Sequence, residues 1–136
     1  MLKNDFFFEN FKTYDTIIPV PISPIRKKER GYNQSLLIAK ELVKQIHQKY
    51  PNSNIQLGLK YLYKFKNIVP QSTLNKQDRL ENVKDVYQLK NGEQLKNKKI
   101  LLIDDIYTTG STVSECAKVL KQTEVEKIDV FTIAKD

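Results

Sequence analysis

The sequence predicts an α/β domain with a mostly parallel sheet flanked by helices. Three observations carry this. Stretches of strand character alternate with stretches of helical period along the chain. One stretch, KILLI at 99–103, is apolar at four consecutive positions, the pattern of a strand buried on both faces as in a parallel sheet. The chain has 136 residues and is 40% hydrophobic, the size of one domain with a core of its own.

Residues 1–14 are aromatic and charged without a clear period and read as either an edge strand or an ordered tail. DTIIPV (15–20) is a short β-type run closed by Pro21, with Pro19 and Pro21 suited to a strand end. Residues 22–32, ISPIRKKERGY, form a basic loop. Asn33 is placed to cap a helix in which Ala39, Leu42, Val43, Ile46 and Tyr50 recur at helical spacing, with Pro51 as its stop. QLGLKYLY (56–63) alternates well enough for a second strand. Residues 64–84 hold few core-type side chains, and a structureless stretch of that length in a small domain implies a functional segment such as a lid. Residues 86–89 suit a short strand, Asn91-Gly92 a turn, and 99–103 the main strand. Val113, Cys116, Ala117 and Leu120 make a helical stripe that Thr112 and Glu115 would open as a capping box. KIDVFTIA (127–134) reads as the last strand.

Composition narrows the function. Cys116 is the sole cysteine, which excludes an internal disulfide and a Cys-rich zinc site within the chain, so no zinc is expected here. No apolar run approaches the roughly 20 residues of a membrane span, and MLKNDFFFEN lacks the pattern of a signal peptide, so a cytoplasmic protein with no membrane partner is expected. The net charge of +7 suits a polyanionic partner or a solvated lysine-rich surface. His47 reads as a surface residue and Cys116 as a small core residue.

The chemistry concentrates in ILLIDDIYTTGST (100–112). A buried strand delivers Asp104 and Asp105 to the carboxyl end of the sheet, where ligands of such sheets bind. Adjacent carboxylates on an extended chain point in different directions, and can accept from two neighbouring hydroxyls or hold a hydrated Mg²⁺. The loop Thr108, Thr109, Gly110, Ser111, Thr112 then leads into a helix, and its amides and hydroxyls suit a phosphate. A vicinal diol bearing a phosphate, such as ribose 5-phosphate, satisfies both parts. The stretch is neither a Walker A loop nor a GxGxxG dinucleotide loop.

Residues 100–112 resemble the phosphoribosyl pyrophosphate (PRPP) signature of type I phosphoribosyltransferases. PVPISPIRKKERGYNQ (19–34), VPQSTLNKQDRLENV (69–83) and LLIDDIYTTGSTVSECAKVLK (101–121) are similar to one branch, the ComF competence family. The resemblance implies a type I phosphoribosyltransferase fold over 1–136, with 1–14 as an N-terminal edge segment and 64–84 as a flexible hood. It implies that Asp104 and Asp105 bind the ribose hydroxyls and, through Mg²⁺-PRPP, the metal indirectly. Residues Thr108 to Thr112 would hold the 5-phosphate, and Val20, Pro21 and Ile22 would form the pyrophosphate loop. Arg79, a catalytic candidate with the two aspartates, and Lys76 would reach pyrophosphate from the hood, which closes to exclude water. Arg26, Lys27, Lys28, Arg30, Gly31, Tyr32, Asn33 and Gln34 are candidates for acceptor or nucleic-acid contacts, against a solvated loop, turn and cap. Gln71 and Asn82 are lid contacts or structural, and Tyr107 either stacks on a base or packs under its loop.

Two departures qualify the resemblance. Purine-salvage members carry an acid where this chain has Thr108, which argues against hypoxanthine or guanine as acceptor. The Cys-rich zinc segment that precedes the transferase domain in typical ComF members is absent, so a short homologue or a fragment is expected. Three readings follow: a Mg²⁺- and PRPP-dependent transferase with an unknown acceptor, a module that binds PRPP or a nucleotide without turnover while its basic face handles single-stranded DNA, and a PRPP-sensing regulator. The family adds a competence helicase and a second copy of the chain as candidate partners.

Overall fold

The computed structural model describes residues 11–22, 31–64, 87–107 and 111–135. The elements in order are β1 (Thr16–Pro19), α1 (Gln34–Lys49), β2 (Gln56–Leu57), β3 (Leu62–Lys64), β4 (Tyr87–Leu89), β5 (Lys99–Tyr107), α2 (Ser111–Leu120) and β6 (Lys127–Lys135), with short 3₁₀ turns at Gly92–Leu95 and Lys121–Thr123. Four strands form a parallel sheet in the order β2-β1-β5-β6, and β3 and β4 form a separate antiparallel pair. The α/β expectation holds.

The sheet has two unlike faces because apolar side chains fill both sides of β5. Ile100, Leu101, Leu102 and Ile103 are all buried. Alternation sends Leu101 and Ile103 into one cluster, with Ile17 and the α1 residues Ile38, Ala39, Leu42 and Ile46. It sends Ile100 and Leu102 into the other, with Val113, Cys116 and Leu120 of α2 and Tyr61, Leu62 and Tyr87 of the antiparallel pair. The domain is therefore three-layered: α1, the sheet, then α2 with β3 and β4. Cys116 is the small core residue expected. His47 is exposed, as expected, and its Nε2 lies 2.7 Å from the Ile55 carbonyl oxygen, tying the end of α1 to the lead-in of β2.

Three element readings are corrected. QLGLKYLY is two strands in two sheets. Gly58 donates to the Ile17 carbonyl at 2.8 Å, and a Cβ there would meet the Thr16 side chain at 2.6 Å, so the chain passes β1 closely and then leaves it. Lys90 donates to the Tyr61 carbonyl and Asn91 Nδ2 to the Lys60 carbonyl, fastening the departing chain to β4 instead. Second, β5 runs to Tyr107 because β6 continues its ladder, through Asp104 opposite Thr132 to Tyr107 opposite Lys135. Third, α2 begins at Ser111, so Thr112 is within its first turn and is not its cap.

Residues 11–14 are anchored to β6. Phe11 meets Phe131 edge-to-face, with ring centroids 5.2 Å apart, and the Tyr14 hydroxyl donates to the Asp129 carboxylate. Residues 1–10, the rest of the predicted edge segment, lie outside the described residues. No helix among the described residues is long and apolar enough to cross a membrane.

Leu102→Ala is expected to cost about 2–5 kcal/mol in urea unfolding, the range for deleting a fully buried leucine side chain. Val130→Ala, on the exposed side of β6, should change stability by under about 0.5 kcal/mol. The Tyr14 hydroxyl bond holds the Asp129 carboxyl below its ordinary range, with Lys127 acting in the same direction and partial burial opposing. A depressed folded pKa stabilises fully above the ordinary carboxylate value of about 3.9 and is lost as pH falls through the lower folded value. Tyr14→Phe should therefore be less stable than wild type near neutrality, and the deficit should shrink below about pH 4. Thermal unfolding of both proteins across that range checks it.

Candidate phosphosugar site

The site is built where β5 outruns β1. Pro19 of β1 is opposite Ile103, and the Val20 N–H donates to the Ile103 carbonyl at 2.8 Å. Beyond that register Asp104 is paired only with β6. The Val20 carbonyl, which a longer strand would offer to the ladder, accepts from Asn33 Nδ2 at 3.2 Å. The same Asn33 side chain caps α1: its Oδ1 accepts from Ser35 N–H at 3.0 Å and from Leu36 N–H at 3.4 Å. One amide thus ends β1 and starts α1, a double role not visible in the N-cap signal alone.

Asp104 is 9% exposed and follows Ile100 and Leu102 on the α2 side of the sheet. Its neighbour there is Cys116. Burial pushes that thiol well above its usual range, and the Asp104 charge pushes it further. Lys64, at the end of β3, acts on the same thiol in the opposite direction. Its Nζ is 5.6 Å from the centroid of the Tyr87 ring. Sequence reading put Lys64 at the edge of the hood and gave it no role. Its register opposite Tyr87 is set by the antiparallel pair, which the alternation of 56–63 concealed.

The other predicted residues divide clearly. Val20 is buried beside Ile103, and Pro21 and Ile22 follow it, half-buried. Asp105 continues β5, and Tyr107 ends that strand where a loop position was expected. Ser111 and Thr112 form the first turn of α2. Gly31 has φ +83, a backbone conformation that favours glycine, and among the described residues nothing stands where a side chain would be. Tyr32 is half-exposed and Gln34 opens α1. Thr108, Thr109, Gly110, Arg26, Lys27, Lys28, Arg30, Gln71, Lys76, Arg79 and Asn82 lie outside the described residues, as does the hood beyond Lys64. A polar concavity lined by Lys12, Tyr14, Tyr50, Asn52 and Asn54 opens at the other end of the sheet, where β1 and β2 begin, and holds none of these groups.

A parallel sheet, an acidic pair on its inner strand just past the end of β1, and a helix that starts at Ser111 define a recognisable arrangement. Residues 32–136 match the phosphoribosyl transferase domain family. The chain belongs to that family. This phosphoribosyltransferase domain is 34% identical over 126 residues to competence protein F of Haemophilus influenzae, covering 91% of the chain and 52% of the relative. It is 29% identical over 138 residues to competence protein ComFC of Bacillus subtilis, covering 98% of the chain and 51% of the relative. The ComF resemblance thus holds over nearly the whole domain, which spans about half the length of these relatives. A hypoxanthine phosphoribosyltransferase from Staphylococcus aureus superposes with a TM-score of 0.56 at 14% identity, covering 96% of this chain and 58% of that one. That likeness is one of fold.

Asn33→Asp keeps the cap acceptor and removes the donor to Val20. Hydrogen exchange should show the Val20 amide opening faster while the Ser35 and Leu36 amides stay protected. Asn33→Ala should open all three and cost about 0.5–2 kcal/mol from the lost cap.

Proposed function

We propose that this domain binds PRPP in the gap where β5 extends past β1 and transfers its ribose 5-phosphate to an acceptor. The observation that carries the reading is the buried carboxylate of Asp104 at that point. Asp104 and Asp105 are acceptors at that point, and the 2- and 3-hydroxyls of a ribose are donors they would take. The residues leading into and opening α2, Thr108 to Thr112, would take the 5-phosphate. Val20 to Ile22, held by Asn33, would face the pyrophosphate.

In the reaction the bond from C1 to the pyrophosphate oxygen breaks and pyrophosphate leaves with the electron pair. A lone pair on the acceptor forms the new bond to C1, and the acceptor gives up its proton to solvent. Positive charge develops at C1 between these events. The protein's contribution is positioning and electrostatics, with the carboxylates fixing the ribose and Arg79 and Lys76 offsetting the charge of the leaving group. Mg²⁺ fits this donor set. No group of three or more His, Cys, Asp or Glu among the described residues could cage a metal, and Mg²⁺ characteristically takes one or two carboxylates with substrate phosphates and water. Asp104 and Asp105 would hold it through the bound PRPP, where it would neutralise pyrophosphate.

The net charge of +7 favours a second reading, in which the pocket binds PRPP or a nucleotide without turnover and the basic surface handles single-stranded DNA. Calorimetry decides between them. Wild type should bind PRPP in Mg²⁺ and bind it far more weakly without. Asp104→Asn with Asp105→Asn should weaken binding about 10²- to 10⁴-fold, the loss of two hydrogen bonds to charged groups. Pyrophosphate released with a trial acceptor supports the transferase. Binding with no release from any acceptor supports the second reading, which further expects salt-dependent DNA binding that falls when Arg26, Lys27 and Lys28 are neutralised. A folded wild type that does not bind PRPP sinks the transferase.

A further inference from the structure

We propose that β6 is an interface strand, at which two copies of this chain join antiparallel, about a two-fold axis at Val130 or Thr132, into one continuous sheet. Among the described residues β6 ends the order β2-β1-β5-β6, so one side of its backbone has no strand partner there. Such an edge offers a row of N–H and C=O groups to another chain. The opposite edge is blunted by its shortness, since β2 pairs at only two residues. β6 has no such protection: it is nine residues long, KIDVFTIAK, with neither proline nor glycine. α1 packs on β1 and β5, and α2 on β4 and β5, which leaves β6 at the margin of both helical layers. Toward α2 it presents Ile128, Val130 and Thr132, in register with Ile100, Leu102 and Asp104. Those three β5 residues are buried, whereas Val130 is 43% exposed and Ile128 and Thr132 are half-buried.

The strand's own sequence points to a second copy as the occupant. Opposed residues of an antiparallel pair share a face, so a strand meeting itself places its axis on a residue. Axes at Asp129 and Phe131 oppose like charges, Asp129 to itself in the first and Lys127 to Lys135 in the second. An axis at Ile128 pairs only 127–129 of the strand. An axis at Val130 pairs 127–133 with 133–127 and sets Val130 on Val130 and Ile128 on Thr132. An axis at Thr132 pairs 129–135 with 135–129, sets Val130 on Ala134 and brings an Asp position, 129, opposite a Lys position, 135. Both cover the exposed Val130 with side chains suited to cross-strand packing. A contact of this kind is isologous, so it closes as a dimer and does not propagate. Asp129 keeps its bonds to Tyr14 and Lys127, which lie within one copy. The seam is one strand away from Asp104, whose register partner is Thr132, so each candidate site borders the other copy.

The test is sedimentation velocity on the full chain up to about 100 μM, where even a weak dimer assembles. Wild type should sediment as a dimer. Val130→Lys, which puts a charge on the uncovered row, should raise the dimer dissociation constant at least about 10-fold. Val130→Cys and Thr132→Cys, oxidised separately, then read the register, since the native thiol of Cys116 is buried. A disulfide-linked dimer from Val130→Cys places the axis at Val130, and one from Thr132→Cys places it at Thr132; either supports the proposal. Leu37→Cys, exposed on α1, should remain unlinked under the same oxidant. A wild type that stays monomeric overturns the proposal. So does a dimer that Val130→Lys leaves intact and neither β6 cysteine links, because that dimer forms elsewhere on the surface. Should Val130→Lys fail to fold, the two cysteine variants decide alone.

Discussion

A single side-chain amide sets the geometry on which the candidate site depends. Asn33 caps α1 with its oxygen and draws the Val20 carbonyl away from the sheet with its nitrogen. Prolines on either side of Val20 make this effective. Ile17 accepts from Gly58 of the β2 segment, so by alternation Pro19 turns toward β2 and offers no N–H there. β2 accordingly pairs at only two residues. β1 then ends one register short of Asp104, while β5 and β6 run on together. The resulting step in the sheet is where the candidate site lies, and it exists because one neighbour of β5 stops and the other does not.

Burial then gives the step its character. The apolar run from Ile100 to Ile103 is enclosed on both faces and so holds β5 in a fixed frame. Asp104 emerges from that frame still almost enclosed, with the core on one side and the gap on the other. A carboxylate so placed is pre-oriented, since rotating away would move it against packed side chains. Cys116 beneath it keeps its proton, because burial and the nearby carboxylate both oppose the thiolate. The sulfur serves there as a compact apolar neighbour and not as a nucleophile.

Much of this was legible in the sequence because it depends on local signals. The helical spacing of Ala39, Leu42 and Ile46, the cap at Asn33 and the apolar run of β5 each report their own environment, and each reading holds. What escaped depends on partners distant in sequence. β5 continues past its apolar run because β6 accepts its backbone, and polar residues carry no mark of that. QLGLKYLY divides because Gly58 passes tightly over Thr16, and alternation alone cannot say which sheet a strand joins. Thr112 matched a capping box that the actual start of α2, one residue earlier, displaces. Lys64 gave no signal at all, since its place follows from the register of a hairpin.

The strand order carries a consequence for how the chain is made. β1 is the first strand described, yet its principal partner is β5, and the Lys99 N–H that bonds the Asp15 carboxylate is 84 residues further along. At typical synthesis rates of about 5–20 residues per second, roughly 4–17 s separate the emergence of these two residues from the ribosome. Through that interval α1 can form from local contacts, but Ile17, Ile38, Leu42 and Ile46 have no Leu101 or Ile103 to pack against. The nascent chain thus carries an uncovered greasy face for seconds. A trigger-type chaperone at the tunnel exit would find its substrate in that interval, and a slow-codon stretch between β2 and β5 would lengthen the exposure.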